Sequence, residues 1–129
     1  MHKPLMRRLT PKLIAALLAS FSVSAFCEQD HFGLDGVFVY REMIGGPYFD
    51  EWYVDGDLST LKQLKLLREG KSGSLEFPIK VDCSSQKMTV AGAGLLWGHE
   101  PISADEIAGQ INRKISESTV DTVCASNRN

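Results

Sequence analysis

From Leu75 to Cys83 every second side chain is apolar. Leu75, Phe77, Ile79, Val81 and Cys83 alternate with Glu76, Pro78, Lys80 and Asp82. A period of two marks a strand with one buried face. A buried face needs a second layer to cover it, so the chain has to build a sheet with something apolar packed against it.

The covering layer is legible nearer the C-terminus. Ser103 followed by Glu106 forms a capping box, which satisfies two amides that a helix start leaves unpaired. Ile102 and Ile107 sit at the two positions of a hydrophobic staple around that cap. Ala104, Ile107, Ala108, Ile111 and Ile115 then share one helical face. The expected architecture is α+β: an antiparallel sheet packed against a C-terminal amphipathic helix.

The remaining strands are read from β-forming runs bounded by turn residues. Gly36–Ile44 and Phe49–Val54 flank Gly45, Gly46 and Pro47, which predicts a hairpin. Met88–Ala91 and Ala93–Trp97 follow the alternating strand. The small residues Ala91, Gly92, Ala93 and Gly94 are expected to let backbone pack closely beneath the helix. Leu58–Glu69 is read two ways. Its Leu, Lys, Gln and Glu content favours helix, with Asp57 as cap and Gly70 as stop. Its leucines (58, 61, 64, 66 and 67) nevertheless form no single helical stripe, so helix and strand both stay open.

The N-terminus reads as an address. Residues 1–12 hold four cations and no acid, Leu13–Phe21 is apolar, and Ser22–Ala25 ends in small residues. This is the pattern of a secretory signal peptide, with cleavage expected after Ala25. A membrane anchor would need about 20 apolar residues, and Leu13–Phe26 is only 14 residues long, three of them Ser. Lipid attachment at Cys27 is disfavoured because the bulky Phe26 precedes it. The expected division is therefore residues 1–25 as signal peptide and 26–129 as a single α+β domain.

Removing residues 1–25 takes four cations and no acid. The chain from Phe26 carries 10 Lys+Arg against 16 Asp+Glu, a formal charge of −6. That balance argues against partners held by phosphate neutralisation, so no nucleic acid is expected. No integral membrane segment is expected either.

An exported chain with three cysteines invites one disulfide and one leftover thiol. Three single pairings are open. Position favours Cys83 with Cys124, because Cys83 continues an inward strand face and Cys124 closes the β-branched run Thr119–Cys124 near the chain end. Cys27 is then the odd thiol. Only His31 lies near it and there is no Cys-x-x-Cys, so thiol catalysis is not expected.

Motifs for other chemistry are incomplete. Asp50, Glu51, Asp55 and Asp57 form the densest acidic stretch, but the spacing is not that of a calcium loop. His31 and His99 are far apart, so no metal or cofactor is assigned. No nucleophile elbow exists, and His99 beside Glu100 is a poor acid–base pair because adjacent residues rarely face each other. A non-enzymatic role follows. Tyr48, Phe49, Trp52 and Tyr53 surround the glycine-rich turn and are the candidate partner-binding residues. As strand neighbours, Trp52 and Tyr53 should face opposite ways, one buried and one available.

Three features together resemble the surface-adhesin protein E-like family of small exported bacterial proteins. They are Trp52-Tyr53-Val54-Asp55 with Ser59 shortly after, Val81-Asp82-Cys83, and Val123-Cys124. The resemblance spans roughly residues 36–124. It implies a structural disulfide at the matching cysteines, a sheet with a C-terminal helix, and adhesion to host extracellular proteins. The expected function is a small exported protein-binding module, adhesin-like, periplasmic or at the cell surface. The alternative is an accessory or inhibitor protein of a bacterial envelope apparatus serving secretion or conjugation.

Overall fold

The computed structural model describes residues 34–127; the expected signal peptide, Cys27 and His31 lie outside them. Seven strands form one antiparallel sheet: β1 (Val37–Gly45), β2 (Tyr48–Asp57), β3 (Lys62–Gly70), β4 (Leu75–Asp82), β5 (Lys87–Val90), β6 (Gly94–Leu96) and β7 (Glu100–Ile102). Two helices follow, α1 (Ala104–Ala108) and α2 (Arg113–Asn127). The sheet runs β1-β2-β3-β4-β6-β7, with β5 also paired to β4.

One edge of β4 is shared. Its first residues pair with β6 and its last four with β5. Pro78 sits between the two pairings, where a residue without an N–H interrupts a ladder at least cost.

The alternation of β4 is realised as expected. Leu75, Phe77, Ile79 and Val81 are buried, and they meet Trp52 and Val54 of β2 and Leu64 and Leu66 of β3 beneath the helices. Each such side chain contributes roughly 1.5–3 kcal/mol by leaving water. At Gly94 strand and helix lie too close for a side chain between them. A Cβ there would lie 2.7 Å from Phe77 Cβ and 3.1 Å from Ile107 Cδ1, so the expected close packing beneath the helix is present.

Leu58–Glu69 resolves into a turn and a strand. Leu64, Leu66 and Arg68 point into the core while Lys65, Leu67 and Glu69 face the other way. β3 pairs on both sides, with β2 and with β4. Cross-strand pairing and a buried face outweigh the weak helical propensity of the segment.

The expected single helix through Ile115 is two. α1 starts on the anticipated capping box, with Ser103 and Glu106 bonded reciprocally, and ends at Gly109. α2 starts afresh at Asn112, whose Oδ1 accepts the Ile115 N–H at 2.9 Å. The β-branched run Thr119–Cys124 belongs to this helix. Thr119 and Thr122 each donate their hydroxyl to the carbonyl four residues back, at 2.8 Å, so their oxygens do not compete with the helix for backbone partners. Ile115, Thr119, Val120, Val123 and Cys124 form its buried stripe.

Cys83 and Cys124 are disulfide-bonded across a separation of 41 residues. The link joins the turn after β4 to the last turns of α2.

The turns after β2 and β4 have the same chemistry. Asp57-Leu58-Ser59-Thr60-Leu61-Lys62 and Asp82-Cys83-Ser84-Ser85-Gln86-Lys87 share the pattern Asp-x-Ser-Ser/Thr-x-Lys. In each, the aspartate Oδ1 accepts the Ser N–H, the Ser hydroxyl and the next N–H, between 2.7 and 3.3 Å. Leu61 and Gln86 both take a left-handed backbone before the lysine. The end of α2 is tied to both turns, through the disulfide to one and through Asn127 Nδ2 to the Ser59 carbonyl in the other.

Two predictions follow. Cys124→Ser is expected to lower unfolding free energy by about 4 kcal/mol, the chain-entropy value for such a loop, read from urea denaturation. Unchanged stability would deny the bond its role. The second concerns acid. Hydrogen bonds from Ser59, then Thr60, hold the Asp57 carboxyl below its ordinary 3.8, and those from Ser84 and Ser85 do the same for Asp82. Their stabilisation is complete above the unfolded value and is lost as pH falls through the lowered folded one. The double variant Asp57→Ala, Asp82→Ala should therefore lose less stability between pH 4 and pH 2 than the parent does, measured by urea midpoints.

Candidate functional site

Both faces of β2 are covered, and this decides the fate of the aromatic cluster. Trp52 has 0% of its surface exposed and Tyr53 3%. The expectation that one of them is available is therefore corrected. Trp52 faces the helices and packs edge-on to Phe77 at 6.4 Å. Tyr53 faces the opposite side, edge-on to Phe38 at 5.7 Å. Its hydroxyl donates to Glu51 Oε1 at 2.8 Å, and Arg41 donates twice to Glu51 Oε2, at 2.7 and 3.0 Å. Arg41 also lies over the half-buried Phe49 ring, 4.3 Å from its centroid. An ion pair between neighbouring strands thus holds the aromatic rings of that face in place.

Of the four aromatics proposed for binding, Tyr48 alone is well exposed, at 53%. The hairpin tip beside it exposes Met43 at 61% and Ile44 at 43%. Trp97, in the turn between β6 and β7, is exposed at 55%. In the sequence Trp97 closes the β-forming run Ala93–Trp97, and nothing local marks it as exposed.

Trp97 and Ile44 line one open cavity of about 440 Å³, with Glu42, Asp50, Arg68 and Gln110 among its other walls. Trp97 also borders a second cavity of about 280 Å³ against β3, β4 and β6. Its backbone is left-handed, with φ 50°, which is a strained conformation for a bulky residue. The turn is held there by the Trp97 N–H donating to the Ser74 carbonyl at 2.9 Å. The indole Nε1 edge overlies Gly73, where no side chain stands in its way.

The polar side chains around this cavity are engaged in structural bonds. Buried Arg68 donates to the Gly73 and Ser72 carbonyls at 3.0 and 3.2 Å and to Gln110 Oε1 at 2.8 Å. It thereby fastens the β3–β4 turn to the segment between the helices. Burial lowers its pKa, while the carboxylates of Asp50, Glu42 and Glu69 act the other way. Asp50 Oδ1 accepts the Ser72 N–H at 2.8 Å. Glu42 accepts from the Trp52 indole at 3.3 Å and from Asn112 Nδ2 at 3.0 Å. Lys71 lies over the Tyr48 ring at 4.4 Å, which extends the same end of the sheet toward the hairpin tip.

Among the described residues no three His, Cys, Asp or Glu side chains gather as metal ligands, and no helix is long and apolar enough to cross a membrane. No family model, curated protein or solved structure matches the chain.

Arg68 is expected to act as the brace of this end. Arg68→Met removes the donors to the Gly73 and Ser72 carbonyls and to Gln110, together with a cation whose charge acts on buried Asp50, and should cost about 2–3 kcal/mol. Adding Asp50→Asn should restore part of that loss, measured as the coupling energy of a double-mutant cycle in urea. Additive losses would mean that the two residues act independently.

Proposed function

We propose that this domain is a small exported protein-binding module, adhesin-like and non-enzymatic, that engages its partner with the end of the sheet bearing Trp97 and Tyr48. The observation that carries the reading is Trp97, an exposed indole held in a strained backbone at the mouth of a cavity. Folding alone gives no reason to keep it there, since the ring covers little of the core. Trp and Tyr are the side chains that most often dominate protein contacts. Ile44 and Met43 add apolar surface around them, and the braced polar floor keeps the patch rigid, which limits the ordering cost of association.

The polar groups nearby support binding over catalysis because they are committed to holding turns together. Export to the periplasm or cell surface is supported by the basic, then apolar, N-terminal sequence and by a disulfide, which persists in oxidising compartments. The resemblance to the surface-adhesin protein E-like family points to a host extracellular protein as the partner.

The test is capture by the immobilised, disulfide-bonded protein from host matrix extracts and from bacterial envelope extracts, with the bound proteins identified by mass spectrometry. Trp97→Ala and Tyr48→Ala should each reduce capture of a matrix protein at least tenfold and leave the melting transition unmoved. Equal capture by both variants would refute this surface. Capture confined to an envelope component would replace adhesion with an accessory role in the envelope.

A further inference from the structure

Strand β5 offers a second, separate surface. Its register against β4 pairs Val90 with Ile79, Thr89 with Lys80, Val81 with Met88 and Asp82 with Lys87. The Ala91 N–H, one residue beyond, donates to the Pro78 carbonyl at 2.9 Å. Residues of an antiparallel ladder turn their backbone groups alternately toward and away from the partner strand. With Ala91 turned toward β4, Thr89 and Lys87 turn the same way, and Met88 and Val90 direct N–H and C=O outward. No other strand pairs with that edge among the described residues.

A groove runs alongside. Met88, Thr89 and Val90 form one wall of a cavity of about 400 Å³, and Ala104, Ala108 and Ile111 stand opposite. Met88 and Val90 pair with Val81 and Ile79, so their side chains share the core face and line the groove with apolar surface. Its charged walls are one acid, Asp105, and one base, Arg113, a balance that complements an uncharged occupant. None of these residues lines the cavity beside Trp97.

We infer that the β5 edge docks an extended, uncharged segment of another protein by strand addition. The segment's backbone pairs with the outward N–H and C=O groups of Met88 and Val90, and its alternate apolar side chains enter the groove between β5 and the helices. Main-chain bonds supply affinity and the groove supplies side-chain selection, as in other strand-addition interfaces. The β7 edge is less suited, because its three residues include Pro101.

The probe is an end-capped, uncharged peptide of eight residues alternating valine and threonine, with a serine added at each end, titrated into the isotope-labelled, disulfide-bonded protein. Binding should slow hydrogen exchange at the Met88 and Val90 amides and leave Thr89, already bonded to β4, unchanged. A peptide N-methylated at alternate positions should bind at least tenfold more weakly. Val90→Pro removes one outward donor and no ladder bond, and Ala108→Arg fills the groove from an exposed position. Each should weaken binding at least tenfold, and the arginine variant decides the matter should the proline variant not fold. Trp97→Ala should bind the peptide like the parent. Absence of binding at millimolar peptide, protection centred elsewhere, or indifference to Ala108→Arg would overturn the proposal. So would a concentration-dependent dimer that protects the same two amides, since it assigns the edge to a second copy.

Discussion

The covalent link between Cys83 and Cys124 is the constraint on which the layered structure depends. β4 carries the most regular apolar face of the sheet, and α2 carries the stripe that covers it. Helix and strand are far apart in sequence, so their association must offset the entropy of closing a long loop. The disulfide removes much of that entropy from the unfolded chain. It also acts at the far end of α2, where fraying is otherwise easiest. Asn127 reaches the neighbouring turn from the same end, so the helix terminus is tied to both repeated turns.

Those turns explain how a small sheet obtains such an anchor. Asp57 and Asp82 organise their loops with one carboxylate oxygen each, and the residue after the aspartate is directed inward. In the first turn that residue is Leu58, packed against the core; in the second it is Cys83. One local solution thus presents an apolar contact in one hairpin and a covalent one in the next. The equivalence is written in the sequence as the pattern Asp-x-Ser-Ser/Thr-x-Lys used twice, and it goes unnoticed when each hairpin is read alone.

Legibility followed the strength of the local signal. The period of β4, the capping box at Ser103 and the glycine-rich turn between β1 and β2 are short-range features, and each appears where expected. β3 was ambiguous because its leucines satisfy no helical stripe and its alternation includes Arg68, a buried charge that reads as a surface residue. α2 was obscured by its β-branched content, which back-bonding by Thr119 and Thr122 accommodates. Trp52 and Tyr53 depart from expectation for a different reason, since both are buried. Alternation predicts which face a side chain takes, but not whether the second face is covered. Here the second face is buried too, and the Arg41–Glu51 pair and the edge-on packing of Phe38 and Tyr53 are among its contacts.

The two proposed surfaces follow from the same division of labour. Where polar groups brace the structure, as Arg68, Asp50 and Glu42 do, the side chains left outward are those whose absence the core would not notice. Trp97 is the clearest of them, because its backbone conformation disfavours it and its ring lies outside the packed layers. At β5 the logic concerns backbone instead. Pro78 divides the edge of β4 between β6 and β5, which leaves β5 as a short strand with one side paired and one side open. Short edges are a common protection against indiscriminate pairing. This one stands beside an apolar groove, so a segment that fills the groove gains affinity that a bare edge cannot give to chance partners. Selectivity at β5 thus resides in the helices opposite the strand, and the strand itself supplies only the direction in which a partner must lie.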